Sequence, residues 1–207
     1  MVAKKAQSKR YSALIQWCNR VSRNSNPIWV GIDPGLNGAL AFISEDGDAF
    51  VLSTPTISII KNKKNRSEYN IMAMVVAIRS LQGKRVVVCQ ELTHAMPGNG
   101  NVSMYSFGRG HGLWEGIVLA HDLPLLFSMP QQWKKMYPSL FPSVKAKDSK
   151  EKQKFKAESK KEALKIAGSL FPSLANNFIK MSDDGKAEAL LIANYCRSIC
   201  RGRSALK

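Results

Sequence analysis

Short apolar runs separated by polar turns dominate the first half of the chain, and the runs have the length of strands. Residues 28–33 read IWVGID and stop at Asp33-Pro34-Gly35. A turn holding Gly35, Asn37 and Gly38 leads into residues 39–44, ALAFIS. Glu45-Asp46-Gly47-Asp48 forms a hairpin turn before residues 49–54, AFVLST. Three strands joined so closely are expected to be antiparallel neighbours. Residues 55–68 read as a polar loop with a basic knot at Lys61, Lys63, Lys64 and Arg66. From Tyr69 to Leu81, Ile71, Val75 and Ile78 recur at helical spacing. Residues 85–91, RVVVCQE, form the unbroken apolar run of a strand buried on both faces. A loop containing Gly, Asn and Pro (93–102) precedes a helix from Ser103 to about His121, and LPLLFS (123–128) is a fifth strand. Further helices are expected from about Ala157 to Leu170 and from Gly185 to Cys200, the latter turning Leu190, Leu191, Ile192 and Ala193 toward a core. The order β-β-β-α-β-α-β-α-α contains no internal repeat. It predicts an α/β domain over residues 27–201, with a tail at 202–207.

Ahead of that domain, residues 1–26 carry six basic side chains and no acid, with Tyr11, Leu14, Ile15 and Cys18 at roughly helical spacing between Lys9 and Ser22. The segment lacks the apolar centre of a secretory signal. It reads as a basic arm or short helix, with an organellar transit peptide as the alternative. At 207 residues and 44% hydrophobic composition the chain can bury a core. No apolar stretch approaches the ~20 residues of a membrane span. Cys18, Cys89, Cys196 and Cys200 are too scattered for a disulfide framework and form no CxxC pair, and Cys89 reads as a reduced core residue. Charge changes the picture most: 31 Lys and Arg against 15 Asp and Glu leave a net +16. That balance calls for a polyanionic partner, nucleic acid before an anionic membrane surface.

Against so basic a background the position of each acid is informative. Asp33 and Glu91 alone end long apolar strands. Two ionised carboxylates ~4 Å apart repel by ~4 kcal/mol at an effective dielectric of 20. A divalent cation relieves both that repulsion and the cost of burial. A third cluster, Asp183, Asp184 and Glu188, opens the last helix. Asp184 and Glu188 are spaced i,i+4 and share one helix face. Asp33 also suits an Asx turn and Asp183 an N-cap, whereas Glu91 has no local task. A basic protein presenting carboxylates to an anionic polymer needs a cation between them.

In order, IWVGIDPGLNGALAF, VVVCQE and DDGKAEALLIANYC resemble the motifs of RuvC-type Holliday-junction resolvases, which belong to the ribonuclease H-like superfamily. HGLW (111–114), MPQQWKKMY (129–137) and DGKAEALL (184–191) bring the plant chloroplast branch closest, and the resemblance spans roughly residues 28–200. It implies a five-stranded mixed sheet, three antiparallel strands then two parallel, flanked by helices. It further implies a homodimer and Mg²⁺-dependent paired nicking of four-way DNA junctions, with Mn²⁺ as a substitute ion. Asp33 matches the first-strand aspartate of that family and Glu91 its fourth-strand glutamate. Asp184 and Glu188 fill the pair on the last helix, with Asp183 the alternative first member. Lys134, after the fifth strand, and Lys160, at the start of the third helix, match lysines near the scissile phosphate. Ordinary phosphate contacts or solvated surface are their alternatives. No compartment follows, since chloroplast, mitochondrial, bacterial and viral origins all fit.

The reaction so implied is in-line phosphodiester hydrolysis by two metals held on Asp33, Glu91, Asp184 and Glu188, leaving 5′-phosphate and 3′-hydroxyl ends. His94, His111 and His121 are not needed as ligands. In the loop after the Glu91 strand, Met96 and Pro97 suit an apolar wedge, and Asn99 and Asn101 suit base-edge hydrogen bonds. Lys61, Lys63, Lys64, Arg66, Lys135 and the lysine-rich residues 134–165 would contact phosphates. Gly108, Gly112, Gly116 and Ala120 recur every four residues, which predicts close packing of that helix on the sheet or on a second subunit, with Trp114 as anchor. A dimer suits two symmetric cuts. Competing readings are a nuclease for other branched DNA or RNA–DNA hybrids, a non-catalytic junction-binding module, and an actin-like ATPase or sugar kinase suggested by GIDPG.

Overall fold

The computed structural model describes residues 2–21, 26–61, 63–92, 100–141 and 148–204. The chain begins with a helix, Val2–Val21 (α1). Ile28–Asp33 (β1), Ala39–Ser44 (β2) and Ala49–Ser53 (β3) then fold back on one another as antiparallel neighbours. Thr56–Lys61 (β4) and Lys64–Tyr69 (β5) pair as a separate two-stranded ribbon. After Ile71–Arg79 (α2) come Val86–Glu91 (β6), Asn101–Leu119 (α3) and Leu125–Ser128 (β7). The five long-range strands form one sheet of order β3-β2-β1-β6-β7, with β1, β6 and β7 parallel. This is the mixed α/β arrangement, three antiparallel strands followed by two parallel ones, that the motifs imply. Pro130–Lys134 (α4), Ser149–Leu170 (α5) and Asp184–Ser204 (α6) complete the chain.

The alternation of side chains along each strand builds two cores. Ile28, Val30, Ile32, Leu40, Phe42, Val86 and Val88 face α1, α2 and α3, meeting Leu14, Trp17, Met74, Ile78, Trp114 and Val118. Trp29, Ala39, Ala41, Ile43 and Cys89 face α4, α5 and α6, meeting Trp133, Leu164, Leu190 and Ala193. Small residues on this second face let α6 lie directly on the sheet. The limit is Gly31, where a Cβ would stand 2.2 Å from the Ala189 carbonyl oxygen and 2.3 Å from the Ala193 nitrogen.

Several expectations change. Residues 55–68 are mostly the β4–β5 ribbon, not a loop. Its turn carries Lys63 at φ 58° instead of the usual Asn-Gly signal, and Ile57 and Ile60 are exposed, so no buried face marked it as strand. Helix α5 starts at Ser149, eight residues before Ala157, because Asp148 caps it by accepting from the Glu151 amide at 2.8 Å. Lys160 therefore sits within that helix and not at its start. The small-residue stripe of α3 is exposed: a Cβ on Gly108, Gly112 or Gly116 would meet nothing within 4 Å. The sheet contact is made instead by the opposite face, where Trp114 is fully buried.

Candidate active site

Sheet register sets the first pair of acids. Ile32 lies opposite Gln90 in the parallel β1–β6 ladder, which brings Asp33 and Glu91 out together at the C-terminal ends of adjacent strands. The second pair arrives on α6. Gly185 lets that helix start against the β1–β2 turn, since a Cβ there would lie 2.3 Å from the Asn37 carbonyl oxygen. Asp184 and Glu188, one turn apart, then share a cleft of about 610 Å³ with Asp33 and Glu91. Lys134 of α4 and Lys160 of α5 line the same cleft.

Each acid has a defined partner. Glu91 is buried and accepts from the Trp133 indole Nε1–H at 2.9 Å. Lys134 Nζ donates to Glu188 Oε1 at 3.4 Å while lying 5.0 Å from the centre of the Trp133 ring. Lys160 Nζ pairs closely with Asp184 Oδ2. Asp33 Oδ1 accepts from the Gly35 amide at 3.5 Å. Asp183 behaves differently. Its oxygens accept from the Lys186 ammonium at 2.7 Å and the Lys180 amide at 3.0 Å, closing the turn before α6. Of the two adjacent aspartates, Asp184 is the one that lines the cleft.

The electrostatics are those of an acid cluster short of positive charge. Burial, then the negative charges of Glu188 and Glu91, raise the Asp33 carboxyl well above the ordinary aspartate range. Burial and the charge of Glu188 push Glu91 up to about 7, against the Trp133 hydrogen bond and the Lys134 charge. The hydrogen bond to Asp184 raises the Lys160 ammonium. Burial pushes the Asp183 carboxyl up, but its hydrogen bonds from Lys186 and Lys180 outweigh burial and leave it below its ordinary value. Four carboxylates, all hard oxygen donors, suit Mg²⁺ or Mn²⁺. Among the described residues, no three Asp, Glu, His or Cys side chains stand close enough to cage an ion as they are. Two of the four acids are instead clamped by lysine.

Sequence reasoning missed Trp133 and Tyr69. The available sign was an apolar tryptophan next to Lys134 in the short helix that follows β7. Tyr69 is buried behind the Asp33 turn, and its hydroxyl reaches the Ser106 carbonyl at 3.2 Å and the Pro34 carbonyl at 3.4 Å. Of the expected DNA contacts, Lys63, Lys64 and Arg66 are exposed on the β4–β5 ribbon, and Lys135 and Asn101 are exposed at helix ends. Lys61 belongs to β4, its side chain outside the described residues. Met96, Pro97 and Asn99 lie outside the described residues altogether. Arg66 lines a groove of about 490 Å³ with Arg109 and Asn37. Asn37 also borders an adjoining hollow that reaches Asp33 and Asp184.

No protein-family model matches the chain, and no curated protein matches it. Among solved structures it is similar to the RuvC of Thermus thermophilus in complex with a Holliday junction substrate, at 15% identity over 84% of this chain and 96% of that one, with a TM-score of 0.49. A second Thermus thermophilus RuvC structure aligns at 15% identity over 85% of this chain and 96% of that one, with a TM-score of 0.44. At this level the likeness is one of chain path alone.

Proposed function

We propose that this chain is a divalent-metal-dependent endonuclease that resolves four-way DNA junctions by paired, symmetric nicks. One observation carries the reading. Asp33, Glu91, Asp184 and Glu188 come from three distant segments into one cleft edged by Lys134 and Lys160, on a chain of net charge +16. The four carboxylates would hold Mg²⁺, or Mn²⁺ in its place. When bound, the metal supplies Lewis-acid polarisation of the scissile phosphoryl group and eases ionisation of the attacking water. Trp133 orients Glu91. Lys134 and Lys160 pair with Glu188 and Asp184 at the rim of the cleft, where their ammonium groups would face the scissile phosphate. The products are 5′-phosphate and 3′-hydroxyl ends.

The junction is the substrate that the three ordered motifs favour, and their likeness to the plant chloroplast branch belongs to the same reading. The exposed glycine stripe of α3 lies beside exposed Tyr105 and Leu119, a face suited to a second copy of the chain. Pairing there gives a homodimer with two sites for two cuts. Lys61, Lys63, Lys64, Arg66 and Lys135 would position the phosphates. Met96, Pro97, Asn99 and Asn101 would meet the bases at the crossover.

The lysine clamps on Asp184 and Glu188 favour a second reading, a junction-binding module that does not cut. One assay separates the two. Labelled four-way junction is incubated with the protein in Mg²⁺ or EDTA, beside Asp33→Asn and Glu91→Gln, with flap and RNA–DNA hybrid substrates in parallel. Paired nicks that need metal and both acids support the resolvase. Tight junction binding without nicks in Mg²⁺ or Mn²⁺ supports the binding module, and preferred cutting of hybrids or flaps moves the substrate class.

A further inference from the structure

We infer that the carboxylate cleft contains a stacking subsite for an unpaired nucleobase of the strand being cut, formed by Phe107 of α3 and Phe155 of α5. The inference rests on the nuclease reading and says how such an enzyme would select a branch point. Both phenylalanines line the cleft that holds Asp33, Glu91, Asp184 and Glu188. Both are only half-buried, and neither belongs to either hydrophobic core. Among the described residues, neither ring pairs with another aromatic ring. Each thus forfeits part of the transfer free energy that a core phenylalanine gains. A cleft that gripped only phosphate would have no use for aromatic faces.

The remaining chemistry of the cleft says what such faces would meet. Lys134, Lys156 and Lys160 stand in the same walls. Cations that track a backbone, interleaved with rings that take its bases, are the usual platform for single-stranded nucleic acid. Phe107 also borders the adjoining hollow with Asp33, Asn37 and Tyr69, so it stands where a strand would pass from one space into the other. In an intact duplex each base is held in its own stack and cannot reach a ring beside the scissile phosphate. At a crossover the stack is broken, and a flanking base can leave it at low cost. Stacking tolerates every base, so the subsite recognises structure and leaves sequence to other contacts.

The test uses the full chain in EDTA at fixed salt. Binding is measured to oligothymidine and to its fully abasic counterpart, which carries the same phosphates. Four-way junctions with a single abasic nucleotide beside the cut provide the second pair. The parent should bind the base-bearing strand on the order of tenfold more tightly than the abasic one. In Phe107→Leu and Phe155→Leu, which keep apolar volume, that ratio should fall toward one, and Phe107→Tyr should restore it. A parent that binds both strands equally overturns the subsite. So does a ratio unchanged in the leucine variants, or an equal loss on both strands, which marks phenylalanines that merely pack the chain. Mg²⁺-dependent nicking of the intact junction by the parent judges the nuclease reading separately. Nicking with no phenylalanine-dependent ratio sinks the subsite alone, and such a ratio without nicking sinks the nuclease reading and leaves a base-stacking site on a chain that binds without cutting.

Discussion

Replacing Glu91 with Gln tests the electrostatics of the cleft without changing its shape. The glutamine keeps an Oε1 acceptor for the Trp133 indole, which now donates to the carboxylate at 2.9 Å. Burial and the Glu188 charge move the Glu91 pKa from 4.5 to about 7. At about 1.4 kcal/mol per pH unit, that gap is worth on the order of 3 kcal/mol. The sign follows from linkage. Below the ordinary glutamate range both the folded and the unfolded chain carry the proton, and the contribution to stability is full. As pH rises toward 7 the unfolded chain releases the proton more easily than the folded one, and stability is lost. Above 7 the loss is complete. The metal-free parent should therefore be weaker at about pH 8 than at about pH 5, and Glu91→Gln should recover ~1–3 kcal/mol at the higher pH and only about a quarter of that at the lower. Denaturant unfolding in EDTA at the two pH values measures the difference. Adding Mg²⁺ at high pH should stabilise the parent more than the variant. A variant less stable than the parent at pH 8, or a gain of equal size at both pH values, would refute the reasoning.

Three further outcomes are expected. Gly31→Ala places a methyl group against backbone atoms of α6 at 2.2 and 2.3 Å; it should cost about 3 kcal/mol or more on unfolding and, by displacing the helix that bears Asp184 and Glu188, reduce nicking. Joint substitution of Lys63, Lys64 and Arg66 by alanine should leave thermal stability near that of the parent. It should also flatten the dependence of junction affinity on salt by roughly one in logarithmic slope for each phosphate no longer neutralised, and an unchanged slope would remove the ribbon from the DNA surface. Gly112→Arg, at a position with open space around it, should leave the fold intact and turn a dimer into a monomer in sedimentation, converting paired cuts into single nicks; an unchanged sedimentation profile would rule out α3 as the interface.

Elements whose patterns are local could be read directly from the order of residues. The apolar runs of β1, β2, β3 and β6 were legible because each is buried on the sheet, and their short turns predicted antiparallel pairing. Asp33 and Glu91 stood out because a strand end is where a charge can escape an apolar run. The β4–β5 ribbon was not legible, since it buries no face of its own and turns on Lys63 in a conformation that non-glycine residues seldom adopt. The early start of α5 was hidden because its first turns carry lysines and a cap but no apolar stripe. The stripe of small residues on α3 announced a close contact without saying with what, and the fold turned it away from the sheet.

That Asp184 and not Asp183 lines the cleft follows from the three-dimensional fold, because the turn before α6 directs each carboxylate. The fold likewise decided that Trp133 supports Glu91 and that lysines clamp the other two acids. These are contacts between residues 42, 54 and 24 positions apart, and no periodicity along the chain records them. Pattern fixes which face of an element is buried. Register, crossing and close approach at glycine fix which side chains share a volume of space, and the chemistry of the cleft belongs to that second kind of information.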